Sequence, residues 1–258
     1  MTSVVRTAAR SAAVLMAATI WSMVATSPTF AQAPAAPEPP PPTWTGTAGA
    51  GVAITSGNSD TMNYNLAFDI TRTPKARNVI KTAGLYLRGD QNDEVIVNRS
   101  SFGFRDEYLL TGRTFLFGQI DYFRDTFKLI DYLVAPTAGV GYKVIDTVPT
   151  QFAIHGGGGS TSEKNPDVDL RTSAALTAGE KLQMQLTPTT LLKHATTGLW
   201  KADDLEDGLY AFSIGIGVQI SQRLLLSVDL LDTFKNKPPT PETKKNDVAL
   251  VTAIATKF

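Results

Sequence analysis

Apolar side chains alternate with small or polar ones in short segments along most of this chain, from Trp44 to the final Phe258. The segment from Thr61 to Thr71 shows the pattern clearly. Its apolar positions are Met62, Tyr64, Leu66, Phe68 and Ile70, and its other positions are Asn63, Asn65, Ala67, Asp69 and Thr71. A two-residue period is the period of a β-strand, so the pattern predicts an all-β structure.

The alternation divides into twelve predicted strands. They cover residues 44–55, 61–71, 79–88, 95–108, 114–127, 132–144, 151–160, 168–178, 182–193, 209–220, 224–233 and 248–258. Each is close to the roughly 9–11 residues that a tilted strand needs to cross a lipid bilayer. The predicted connections after even-numbered strands are short, and those after odd-numbered strands are mostly longer and more polar, with 194–208 and 234–247 among the clearest. Short turns on one side and longer loops on the other are typical of outer-membrane barrels.

Aromatic side chains lie at both ends of the predicted strands, on the apolar side of the alternation. They are Trp44, Tyr108, Tyr142, Phe152 and Phe258 at one end, and Tyr122, Tyr132 and Tyr210 at the other. Two aromatic belts are expected where a barrel meets the two lipid–water boundaries. The alternative is a soluble β-sandwich, whose strands are shorter and do not need aromatic ends. We therefore predict a transmembrane antiparallel up-and-down β-barrel of about twelve strands.

Charged side chains on the opposite face of the alternation must point into this barrel, since a charge facing lipid costs about 2–4 kcal/mol at the midplane. The candidate lumen-lining residues are Arg99, Arg105, Glu107, Gln119, Asp121, Asp169 and Arg171. They can either pair across the lumen and seal it or leave a narrow polar path. The strand register decides between these alternatives, and the sequence does not provide it.

The N-terminal part of the chain predicts export. Arg6 and Arg10 precede an apolar, alanine-rich stretch over 12–25, and small residues follow it. This is the layout of a secretory signal peptide over residues 1–31, and the apolar stretch is shorter than the roughly 20 residues of a spanning helix. Residues 32–43 are a proline-rich periplasmic tether, and 44–258 form the barrel. The predicted location is the outer membrane of a Gram-negative bacterium.

Composition removes several classes of function. The chain has no cysteine, so it has neither disulfides nor a thiolate metal site. Its 24 basic and 24 acidic residues give a formal net charge of zero, which offers no electrostatic basis for binding nucleic acid. We predict no cofactor.

The first predicted hairpin carries a family resemblance. Trp44-Thr45-Gly46 and Ser56-Gly57-Asn58-Ser59-Asp60-Thr61, together with Asp121-Tyr122 and Gly139-Val140-Gly141-Tyr142, resemble the YdiY-like family, described as salt-induced outer-membrane proteins. The resemblance implies an outer-membrane barrel and a link to salt or osmotic stress, and it supplies no catalytic residues. Ser59 replaces the family's more common threonine.

Few residues suggest catalysis or binding. His155 and His194 are the only histidines, and no motif surrounds either, so we predict no enzyme; an outer-membrane hydrolase is the less favoured alternative. Asp203, Asp204, Glu206 and Asp207 form an acidic cluster in a predicted outer loop, which we interpret as solvated rather than as a calcium site. Lys235, Lys237, Lys244 and Lys245 in the last predicted loop serve either solubility or contact with lipopolysaccharide phosphates.

The favoured function is a narrow polar channel, or an envelope protein of osmotic stress. The alternative is a structural or adhesive barrel whose lumen is sealed by ion pairs. Expected partners are outer-membrane lipid, lipopolysaccharide and the barrel-assembly machinery, which would contact the C-terminal strand that ends in Phe258. We expect a monomer.

Overall fold

The computed structural model describes residues 43–56, 61–73, 77–91 and 94–258. These residues form a closed, antiparallel barrel of twelve strands in which each strand pairs with its neighbours in the chain and β1 pairs with β12. The strands are β1 Trp44–Ser56, β2 Thr61–Arg72, β3 Asn78–Gln91, β4 Glu94–Leu109, β5 Thr114–Asp125, β6 Ile130–Asp146, β7 Thr150–Lys164, β8 Arg171–Thr187, β9 Thr190–Lys201, β10 Asp204–Gln219, β11 Leu224–Lys235 and β12 Asn246–Lys257. The predicted all-β barrel of twelve strands is confirmed. The predicted signal peptide and almost all of the tether lie outside the described residues.

The two termini of the barrel meet at one of its ends. The backbone of Phe258 exchanges two hydrogen bonds with Gly46, at 3.0 and 3.1 Å. A Cβ atom at Gly46 would lie 2.7 Å from the phenyl ring of Phe258, so only glycine leaves room for that ring. We call this end of the barrel, where β1 begins and β12 ends, the proximal end, and the opposite end the distal end.

Away from the bulges, odd-numbered residues face the interior of the barrel and even-numbered residues face outward. Interior residues have the same parity on neighbouring strands because of the register. Outside the bulges it pairs odd positions with odd and even with even, as in Asn65 with Leu87 and Leu66 with Tyr86. Asn65 and Leu87 are buried, whereas Leu66 and Tyr86 are exposed. The alternation in the sequence thus corresponds directly to the two faces of the wall.

The predictions for the eighth and ninth strands were wrong. Residues 179–181 were predicted as a turn, but they lie in the middle of β8, and the predicted loop over 194–208 consists largely of β9 and β10. Gly179 resembles a turn residue in the sequence. In the barrel, a Cβ atom at this position would lie 2.6 Å from the backbone oxygen of Thr196 and 2.7 Å from the ring of His155, so glycine is required there.

The expected difference between the connections at the two ends is weaker than predicted. At the distal end, β9 and β10 are separated only by residues 202–203, while residues 165–170 and 236–245 form longer connections. The connection between β5 and β6 contains a short 3₁₀ helix, Thr126–Lys128, whose first two residues were predicted as the end of the fifth strand. The Ser56–Asp60 turn of the family resemblance falls mostly outside the described residues.

Aromatic and aliphatic side chains cover the outer face. The aromatic residues at the strand ends carry even numbers and point outward, and Trp44, Tyr108, Tyr142 and Phe258 are all more than 40% exposed. No helix among the described residues is long and apolar enough to cross a membrane.

Candidate functional site: the charged interior

Four charged side chains form a closed network inside the distal half of the barrel. We call Glu163, Lys201, Asp207 and Lys235 the distal cluster; they come from β7, β9, β10 and β11. Each ammonium group contacts both carboxylates: Lys201 lies 2.8 Å from Glu163 and 2.5 Å from Asp207, and Lys235 lies 3.1 Å from each. All four residues are less than 9% exposed. Because every charge has two opposite partners, the cluster is neutral and its members hold each other in place.

A second network joins the β5–β6 connection to the far side of the barrel. We call Arg99, Asp125, Lys128 and Asp247 the connection cluster. Arg99 lies 2.7 Å from Asp125 and 3.5 Å from Asp247, and Lys128 lies 3.0 Å from Asp247. Asp125 also accepts hydrogen bonds from the backbone of Phe127 and Lys128, which caps the 3₁₀ helix. Since β5 and β12 are separated by four strands on one side of the ring and six on the other, this network reaches across the distal opening.

Apolar side chains fill space beside these networks. Leu87 and Val97 from β3 and β4 pack against Ala249 and Val251 from β12. In a second group, Ile130, Leu133 and Ala135 of β6 pack with Phe123, Leu199 and Leu209. Both groups join strands that are not neighbours in the ring. The distal half of the interior is therefore packed much like a protein core, although it contains eight charges.

The proximal half of the interior has a different arrangement of charges. Glu107 accepts hydrogen bonds from Lys81 at 2.7 Å and from Arg105 at 2.9 Å. Arg105 also donates to Gln119 at 2.6 Å, and its guanidinium lies 3.9 Å from the centre of the Phe117 ring. The Gln119 amide in turn donates to Asp121. We call Lys81, Glu107, Arg105, Gln119 and Asp121 the proximal chain.

The interior contains most of the candidate lumen-lining residues, and they belong to different ion-pair networks. Arg99 belongs to the connection cluster, and Arg105 belongs to the proximal chain. Arg171 lies at the distal rim and contacts Asp203 at 2.9 Å, where both side chains are about half exposed. Asp169 is in the connection 165–170 and not on a strand.

The acidic and basic clusters predicted for the outer loops are largely paired with each other. Lys237 contacts Asp204 at 2.8 Å and Glu206 at 3.0 Å. The hydrogen bond from Arg171 lowers the pKa of Asp203. Lys235 was predicted in the last loop, but it is on β11 and buried in the distal cluster, so it is not available to lipopolysaccharide. No group of three or more candidate ligands suited to a metal ion occurs among the described residues.

The two histidines lie on opposite faces of the wall. His155 is in the interior with its ring edge against Phe117, 5.4 Å between centroids. His194 lies within β9 on the outer face, and not at a strand end as predicted. Its Nδ1 donates to the carbonyl of Ser213 at 2.9 Å, and its Nε2 lies 3.1 Å from Glu180. The hydroxyl of Thr196 lies 3.4 Å from the same Nε2.

Sequence reasoning missed the distal cluster because of the strand boundaries. It placed Glu163, Lys201, Asp207 and Lys235 in loops, although each has the odd number of an interior residue. Once β7, β9, β10 and β11 are extended to their actual ends, the alternation alone assigns all four to the interior. Their contacts with one another still depend on the register.

A family model described as "Protein of unknown function, DUF481" matches residues 48–258. The chain belongs to this family. No curated protein sequence matches it. The family carries no assigned activity, so the function of this DUF481 barrel has to be argued from its own geometry.

Solved structures resemble the DUF481 barrel at low sequence identity. The NanC porin matches with a TM-score of 0.55 and 8% identity, over 83% of this chain and 100% of that one. The KdgM porin, solved with disordered oligogalacturonate, matches with a TM-score of 0.46 and 4% identity, over 82% and 99% of the two chains. The translocator domain of the autotransporter NalP from Neisseria meningitidis gives 0.49 and 9%, over 84% and 89%. The likeness to NanC shows a shared barrel fold.

Proposed function

We propose that this protein crosses the bacterial outer membrane as a narrow polar channel, and that the conformation described is closed in its distal half. The observation that carries the proposal is the arrangement of the two faces. Charges line the interior in both halves, while the outer face is largely apolar, with the Glu180–His194 pair as an exception. A soluble barrel would have the opposite arrangement.

The outer face supports the membrane location. Leu66, Val140 and Ile254 point outward and are 58%, 56% and 59% exposed. A continuous apolar belt of this kind is stable in lipid and not in water. The strands have 12 to 17 residues, more than the roughly 9–11 that a crossing requires.

The buried charges support a channel that can open. Placing charges in the distal half costs desolvation energy that an apolar filling would not. Unlike apolar packing, however, the distal cluster can be rehydrated when its side chains change rotamer, which would connect the two ends by a polar path. The path would be narrow, because twelve strands enclose less space than the sixteen of an open porin.

A sealed structural barrel is the second candidate, and the packing of the distal half favours it. Leu87, Val97 and Val251 are buried in contact across the interior, as they would be in a permanent plug. Under this candidate the ion pairs fix the shape of the barrel and never separate.

Conductance in a planar lipid bilayer tests the proposal. We expect short and rare current steps from the wild type, and longer or more frequent steps from the double variant Glu163→Gln/Lys201→Met, which removes one charge of each sign from the distal cluster. Lys237→Met, in the exposed distal connection, is the control and should behave as the wild type. If the wild type and the double variant are both silent although correctly folded, the sealed barrel is the right function.

The location and partners follow from the same proposal. The proximal end faces the periplasm, where the tether leaves the barrel, and Phe258 presents the last strand to the assembly machinery. Lipopolysaccharide surrounds the distal rim, and the protein acts as a monomer with a role in osmotic or salt stress, as the YdiY-like resemblance implies. Fractionation of membranes, together with a gel shift between boiled and unboiled protein, tests the location. Transcript levels in high salt test the stress role.

A further inference from the structure

Charge is balanced differently in the two halves of the interior. In the distal half, each charge of the distal and connection clusters lies within 4 Å of an opposite charge. In the proximal chain, Glu107 alone serves both Lys81 and Arg105. Within 4 Å, cations therefore outnumber carboxylates in the proximal half; Asp69, Asp121 and Asp229 also face this part of the interior, but from beyond 4 Å.

Two further lysines increase this excess. Lys181 on β8 and Lys193 on β9 face the interior as diagonal neighbours, because Lys181 pairs with Ala195 and Lys193 pairs with Gln183. No carboxylate of the described residues forms an ion pair with either ammonium group within 4 Å. Asp229 on β11 is the carboxylate that acts on Lys193 from a greater distance.

The cations of the proximal half lie on two opposite walls of the interior. Lys81 is on β3 and Lys181 is on β8, far apart in the ring of strands, yet Lys181 is close enough to act electrostatically on Lys81. Like charges that face each other across an interior of lowered dielectric repel, and an anion between them removes the repulsion. Arg105 adds a planar group with several donors, which suits carboxylate or phosphate oxygens.

We propose that the proximal half of the interior is a binding site for small multivalent anions, held between Lys81 and Arg105 on one wall and Lys181 and Lys193 on the other. Phosphate and carboxylate groups share the required chemistry. The ligand enters through the proximal end, since the distal half is packed. The assignment of that end to the periplasm rests on the proposed function, but the site itself does not.

Calorimetric titration of the detergent-refolded protein tests this site, with inorganic pyrophosphate and citrate as separate probes. We expect wild-type protein to bind at least one of them, and the double variant Lys181→Gln/Lys193→Gln to bind about tenfold more weakly or not at all. Binding should also weaken as salt is added. The control Lys237→Gln removes a lysine from the distal connection and should bind as the wild type does.

The variants are chosen so that folding does not confuse the result. Lys181 and Lys193 form no ion pair within 4 Å among the described residues, so their replacement should leave the heat-dependent gel shift unchanged. Equal binding by wild type and double variant, or absence of binding by the wild type, overturns the site. Binding together with a silent bilayer overturns the channel and leaves the site standing. Conductance without any binding overturns the site and leaves the channel standing.

Discussion

The carboxylate of Asp247, at the start of the last strand, lies 3.0 Å from the ammonium group of Lys128 in the connection between β5 and β6. Lys128 is 1% exposed, and its Nζ also donates to the backbone carbonyl of Lys245 at 3.1 Å. This contact ties a connection on one side of the distal opening to the strand that closes the barrel on the other. It makes the short 3₁₀ helix part of the distal closure and not an independent loop.

Asp247→Asn should therefore loosen the distal half. It leaves Arg99 paired with Asp125 and removes the carboxylate beside the buried Lys128 ammonium, and breaking a buried ion pair costs about 3–5 kcal/mol. We expect faster hydrogen exchange at residues 126–129 and a lower free energy of unfolding. The control Asp203→Asn removes an exposed ion pair with Arg171, which contributes little to stability because solvent screens it. Equal effects of the two substitutions would contradict the role of Asp247.

Substitutions at Gly84 and Phe68 should have strongly coupled effects on the free energy of unfolding. They are partners across β2 and β3, and a Cβ atom at Gly84 would lie 2.4 Å from the Phe68 ring. Gly84→Ala alone should destabilise the barrel by about 1–3 kcal/mol, and the loss should largely disappear in the background Phe68→Leu. Urea unfolding in lipid vesicles measures all four members of this cycle.

Gly118→Ala is the matched control for that cycle. Gly118 is also on the outer face, and no atom of the described residues lies within 4 Å of the added Cβ atom. The substitution should be neutral or slightly stabilising, since alanine lowers the entropy of the unfolded chain. A loss equal to that of Gly84→Ala would show that the Phe68 ring is not the cause.

Replacing one member of the outward pair of Glu180 and His194 should destabilise the barrel, whereas replacing both members should not. Within the proposed membrane it is surrounded by acyl chains, where an ionisable group without its partner is unfavourable. His194→Leu alone should lower the free energy of unfolding by about 1–3 kcal/mol, because it leaves Glu180 without its 3.1 Å partner. The double variant Glu180→Leu/His194→Leu should be at least as stable as the wild type. A double variant less stable than the single one would indicate that the pair has a function beyond structure.

Single cysteines should map the closed half directly, because the chain has no cysteine of its own. Ser227→Cys lies on the interior face near the proximal end of β11, and Thr161→Cys replaces a side chain that is 1% exposed in the distal half. We expect a charged thiol reagent to label position 227 about tenfold faster or more than position 161, since labelling at 161 requires local opening. Similar rates at both positions would mean that the distal half is open to water.

Much of the fold could be predicted because its signal is local. The alternation from Thr61 to Thr71 assigns faces without knowledge of any other strand. Nine of the twelve strands were predicted with both ends within four residues of their observed ends. The prediction failed at Gly179 and Glu180, where a glycine next to a charge resembles a turn. The segment continues as a strand because it pairs without interruption with both β7 and β9, which the local sequence does not show.

The amino-acid sequence by itself determined which side chains point inward and which point outward, because that depends only on the two-residue period of the backbone. The tertiary structure decided which of the inward charges meet. Glu163 and Lys235 are 72 positions apart in the chain, and their contact depends on the register of every strand between them. Such contacts together decide whether the interior is closed or open, and the period of a strand carries no information about them.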